Sequence, residues 1–100
     1  MMLQHADHWA REFRVRMPRR CPAVTERELD GEAVLFDAVT GCTHRLNATA
    51  LNVWRACDGT QATDDVARDL AERFDVAPPV VLQDIEQLLA AFARAGLVEP

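Results

Sequence analysis

Leu46-Asn47-Ala48-Thr49-Ala50-Leu51-Asn52-Val53-Trp54-Arg55-Ala56-Cys57-Asp58-Gly59 is the stretch on which the fold turns. Leu46 closes a strand-like run, and Asn47 is suited to cap a helix, because its side-chain oxygen accepts from the first unpaired amides. Ala50, Leu51, Trp54 and Cys57 then recur at helical spacing. Gly59 suits the left-handed residue that commonly ends a helix. A strand end, a cap, an amphipathic helix of about Ala48 to Cys57 and a stop are thus expected in one short segment.

Upstream, the pattern is that of a small antiparallel meander. A first strand is predicted from Ala23 to Leu29, with Val24, Glu26 and Glu28 on one face. Asp30-Gly31 is a two-residue turn signal, since both types tolerate positive φ. Ala33-Val34-Leu35-Phe36 reads as a second strand whose continuous apolar run predicts contact on both faces. Val39-Thr40-Gly41 is a further turn, and Cys42 to Leu46 a third strand.

Downstream, the pattern is helical. Thr63 is the expected cap of a second helix, with Asp64 and Asp65 placed favourably against its dipole and Val66, Leu70 and Phe74 forming the apolar stripe. Pro78-Pro79 opens a third helix that runs to about Ala95 and stops at Gly96. Leu97-Val98 returns as a short strand or packed tail. The expected fold class is α+β, winged-helix-like: a three-stranded antiparallel β-meander followed by three α-helices. On the third helix, Val81, Ile85, Leu88 and Phe92 form the core stripe. Leu82 and Leu89 lie to one side of it with Glu86 just beyond, positioned to wall a groove beside the sheet.

One hundred residues, 49% apolar and 27% charged, make one small domain with its own core. No apolar run approaches the roughly 18 residues of a membrane span. The start, with His5, Asp7, His8 and Arg11, lacks the apolar block of a secretion signal. Three cysteines (Cys21, Cys42, Cys57) form no CxxC pair, so free thiols and a cytoplasmic location are expected. All eleven basic residues are Arg. Five of them (Arg11, Arg14, Arg16, Arg19 and Arg20) crowd the start, so residues 1–22 are expected as an arginine-rich N-terminal arm and 23–100 as the domain. The charge is +1 over residues 1–57 and −6 over 58–100, within a total of −5.

Several chemistries are disfavoured by the residues present. His5 and His8 fall on one helical face, and Cys42 and His44 on one strand face, but neither pair reaches the three or four ligands that zinc needs. There is no glycine-rich phosphate loop and no nucleophile elbow, so no catalytic residues, metal or cofactor are assigned. As a DNA-reading helix, the third would present Asp84 and Glu86 against a lone Arg94, with Asp64, Asp65, Asp69, Glu72 and Asp75 in the helix before it. A polyanion would be repelled. A peptide-binding role fits better: an edge strand offers unpaired backbone groups to a guest strand. The guest would lie between Thr43–Leu46 and the third helix, with Arg45 available to pair an acidic guest residue. A protein–protein or dimerisation module without a peptide client is the alternative.

The run Asp37 to Ala50, with Val53-Trp54, Asp58-Gly59, then Thr63, Val66, Leu70, Asp84, Leu88-Leu89 and Gly96-Leu97-Val98, resembles the PqqD-type peptide chaperones over about residues 23–99. The resemblance implies a RiPP recognition element. Such a domain binds the leader of a ribosomally made precursor peptide as an added strand and presents it to a modifying enzyme such as a radical SAM protein, as in pyrroloquinoline quinone biosynthesis. It implies peptide-binding positions at Thr43, His44, Arg45 and Leu46, and at Leu82, Glu86 and Leu89. The Thr-Gly-x-Thr-His-x-Leu run and the arginine-rich start look more like a subgroup that accompanies HPr-kinase-related proteins. A kinase-related partner is therefore also implied. A homodimer is possible in either reading; nucleic acid and membrane are not expected as partners.

Overall fold

The computed structural model describes residues 15–99. In chain order these form β1 (Arg19–Arg20), β2 (Val24–Leu29), β3 (Glu32–Asp37), β4 (Thr43–Leu46), α1 (Ala48–Arg55), α2 (Thr63–Phe74), α3 (Pro78–Ala95) and β5 (Val98–Glu99). The fold is α+β: the antiparallel sheet β2-β3-β4 precedes three helices, as expected from the sequence. Asp30 (φ 54°) and Gly31 (φ 80°) turn the chain between β2 and β3. Asp37 organises the next turn: its Oδ1 accepts from the Val39 amide at 2.9 Å. That bond satisfies a carboxylate that is otherwise buried.

Among the described residues the sheet is covered on one side only. Along β3, Ala33, Leu35 and Asp37 are buried, while Val34 and Phe36 remain 41% and 45% exposed. The expectation of contact on both faces is therefore corrected. Every helix lies on one side, so strict period-two alternation survives beneath an apolar run. The core gathers Leu35 and Leu46 from the sheet, Leu51, Val53 and Trp54 from α1, Leu70 from α2, and Ile85 and Phe92 from α3. Each large buried side chain contributes about 1.5–3 kcal/mol relative to exposure. At the β2 side an ion-pair cluster joins helix to strand, with Arg55 at the end of α1 held by Glu26 and Glu28.

Helix ends depart from the expectations in instructive ways. Asn47 caps α1 as read, accepting from the Ala50 amide at 2.9 Å. The helix ends earlier than expected, at Arg55, with Ala56 as a right-handed cap. Gly59 (φ 79°) lies beyond that end and permits a close approach instead: a Cβ there would stand 2.3 Å from Cγ of Arg19. Nor is Thr63 a cap. Ala62 holds that position without a side-chain bond, and Thr63 is the first helical residue, its Oγ1 buried without a partner. Gly96 (φ 73°) ends α3 as expected.

The expected arm divides in two. Residues 1–14, with His5, His8, Arg11 and Arg14, lie outside the described residues. Residues 15–22 do not stand apart: Met17 is 2% exposed and belongs to the core. β1 pairs antiparallel with β5, Arg19 opposite Glu99 and Arg20 opposite Val98. Further backbone bonds run from Met17 N–H to Gln61, Arg20 N–H to Cys57 and Cys21 N–H to Leu97. Arg20 also lies over the Trp54 ring at 5.5 Å. This clasp escapes a search for periodicity, because its elements are two residues long and interrupted by proline.

Candidate functional site

Among the described residues β4 has a neighbour on one side only, which leaves its other edge bare. The register decides which groups that edge offers. Asp37 N–H donates to the Cys42 carbonyl at 2.9 Å, which makes this a hydrogen-bonded pair. Alternation along an antiparallel ladder then gives the same character to Leu35↔His44 and Ala33↔Leu46. The N–H and C=O groups of His44 and Leu46 thus point to β3, and those of Thr43 and Arg45 point outward, free to accept a strand. Side chains alternate the other way. His44 is half-buried and Leu46 buried on the helix side, while Thr43 and Arg45 are exposed on the open face.

The outer edge of β2 is also bare among the described residues, but its inward-facing glutamates are engaged by Arg55. Arg55 donates its hydrogen bonds to Glu26, and these, more than its charge alone, hold that carboxyl below its ordinary range. Beside β4 the surroundings differ. Where the chain turns at Asn47 into α1, a hollow of about 380 Å³ opens against α3, lined by Asn47, Thr49, Asp84, Gln87 and Leu88.

The other residues singled out on α3 face elsewhere. Leu82 lines a separate hollow of about 260 Å³ with Asp64, Ala67, Arg68, Pro78 and Pro79, between the starts of α2 and α3. Leu89 is half-buried against the core and Glu86 exposed. On a helical wheel both share the flank of Leu82. Leu88, read from the sequence as core, is only half-buried and shows part of its surface to the β4-side hollow. Through Asp84, Gln87 and Leu88, which periodicity did not single out as groove residues, α3 meets Asn47 and Thr49 just past the end of β4.

Among the described residues no metal-binding cluster lies at this edge. Cys42 and His44 gather no third metal-ligating side chain among the described residues. Burial pushes the Cys57 thiol up to about 12, so it stays protonated and unreactive. Among the described residues no helix is long and apolar enough to cross a membrane.

A family model described as coenzyme PQQ synthesis protein D (PqqD) matches residues 32–98, which hold β3, β4 and all three helices. The chain belongs to the PqqD family. This PqqD-family chain also superimposes on two solved structures. One is TbiB1 in complex with the TbiA(beta) leader peptide, at 25% identity and TM-score 0.73, covering 81% of this chain and 94% of that one. The other is lasso peptide synthetase B1 complexed with the leader peptide, at 31% identity and TM-score 0.70, covering 82% and 96%. No curated protein sequence matches it. The PqqD family places the chain among non-catalytic peptide-binding domains.

Proposed function

We propose that this protein is a peptide adaptor that takes the leader of a ribosomally made precursor as a fourth strand along β4 and presents it to a modifying enzyme. The observation that carries the reading is the outward main chain of Thr43 and Arg45 on an edge that is bare among the described residues, with the α3-lined hollow just past its end at Asn47. Backbone bonding would supply affinity there, and the α3 flank selectivity. Both superimposable structures are complexes with a leader peptide, which supports a leader peptide as the guest. We assign the guest-facing surface to Thr43, His44, Arg45 and Leu46 together with Asp84, Gln87 and Leu88. Leu82, Glu86 and Leu89 then belong to the α2-side flank, open to the enzyme rather than to the leader.

The enzyme is proposed to be a radical SAM protein or, given the resemblance to the subgroup that accompanies HPr-kinase-related proteins, a kinase-related partner. Free cysteines, one exposed at Cys42, favour a reducing, cytoplasmic setting.

The test is a titration with peptides encoded beside the gene, followed by amide hydrogen exchange. Thr43 and Arg45 are expected to become protected, while His44 and Leu46, already bonded to β3, change little. Protection confined to any other surface would reject the edge. A second reading, a protein–protein module without a leader, draws support from the open sheet face, where Leu29 and Val39 join Val34 and Phe36 as exposed apolar residues. Sedimentation separates the two: a stable dimer that seals β4 leaves no edge for a guest.

A further inference from the structure

The hollow beyond the end of β4 carries a chemical preference of its own. Asp84 is exposed on its rim and, among the described residues, makes no ion pair or hydrogen bond. The polar residues Gln87, Thr49 and Asn47 line the hollow with it, and Leu88 is its apolar residue. A charged head that meets a carboxylate, carried on an apolar stem that lies against a leucine, is the profile of Lys or Arg. We infer that this hollow is a specificity pocket for a basic side chain of the guest peptide, with Asp84 as the residue that reads its charge.

This inference rests on the groove reading above. A guest paired to β4 continues in its own direction where the host chain leaves at Asn47, so its residues just past Leu46 pass over the hollow. Guest side chains alternate between faces, and the one directed to the helix side there enters it. One effect opposes a cation: the N-terminus of α1, which opens on the same hollow. Its partial charge is roughly +0.5 and falls off within a turn, against the full negative charge of Asp84. The Ala50 amide, moreover, is already satisfied by Asn47 at 2.9 Å. Asp84 is the one ionisable residue of its lining, so the charge the hollow carries is negative. Its volume of about 380 Å³ accommodates a long side chain and the waters around its head.

The experiment is a selection from a random dodecapeptide display library on the full chain and on two variants, Asp84→Asn and Asp84→Lys. Asp84 is exposed and its side chain has no partner to lose, so both variants are expected to fold. Peptides that protect the Thr43 and Arg45 amides are then aligned. On the unaltered chain one peptide position is expected to favour Lys or Arg. That preference should vanish in Asp84→Asn and turn to Asp or Glu in Asp84→Lys. For a single selected peptide, Asp84→Asn should weaken binding by roughly threefold to tenfold at low salt, and less at high salt. Peptides that protect the edge with no charge preference on any of the three proteins overturn the pocket and leave the strand-addition reading intact. If no selected peptide protects Thr43 and Arg45, the groove reading fails, and the pocket with it.

Discussion

Asp58 sits in the turn after α1, where its Oδ1 accepts from the Thr60 amide at 2.9 Å and the Gln61 amide at 3.1 Å. These two backbone bonds hold its pKa at about 2, against an ordinary 3.8. Glu26 is lowered likewise, chiefly by its hydrogen bonds from Arg55. A carboxyl depressed in the folded state stabilises when ionised: the contribution is complete above the unfolded value and is lost as pH falls through the folded one. Resistance to urea is therefore expected to decline from about pH 4 toward pH 2. Asp58→Asn keeps an oxygen acceptor for both amides and should flatten the part of that decline that Asp58 causes. An unchanged pH slope in this variant would show that the turn carries none of it. At this scale the sequence was informative where chemistry is local. Asn47 was legible as a cap because its bond reaches only to Ala50, whereas Thr63 was misread because Val15 and Ala62, not its own hydroxyl, complete that helix start.

At the scale of elements, Gly59 separates two uses of a left-handed residue. It was read as a helix stop, but its φ of 79° serves the passage of Arg19 against the turn. Gly59→Ala is expected to cost more than about 1 kcal/mol, because φ is unsuitable for alanine and the new methyl group collides with the Arg19 side chain. Gly31→Ala is the control, with a comparable φ of 80° and open space, so in denaturant titration it should show the conformational cost alone and lose less. Equal losses in the two would show that conformation alone matters. The helices α2 and α3 and the strands β2 to β4 were legible because each carries several turns or alternations of pattern. The flank of α3 that meets the sheet edge was not. Periodicity fixes the angle of Leu82 or Asp84 from the core stripe, but which side adjoins β4 depends on how the helix is placed over the sheet, and that is set by tertiary packing.

For the whole molecule, the least legible part is the clasp. The chain before β2 looked like an arm because prolines and arginines dominate it, and only a partner far along the chain gives its residues a role. Met17 is the anchor, so Met17→Ala should lower stability by about 2–5 kcal/mol, as for other buried large-to-small changes. The measurement is a denaturant midpoint. A loss below about 0.5 kcal/mol would mean that the segment lies on the domain without supporting it. The fold class was readable from element order alone, since a meander followed by three helices has few compact solutions.

The antiparallel pairing of β1 with β5 also decides how the domain would respond to force. Arg19 lies opposite Glu99, so the outgoing directions of the chain leave the same end of the ribbon. A pull transmitted through the two ends therefore opens this ladder one bond at a time, as a zipper, rather than loading all its bonds together in shear. β5 should peel from β1 at low tension. On the other strand the force first meets the backbone bonds that tie Val15 to Thr63 and Met17 to Gln61, which precede β1 in the chain, so the ladder opens from β5 while the start of the domain stays tied down.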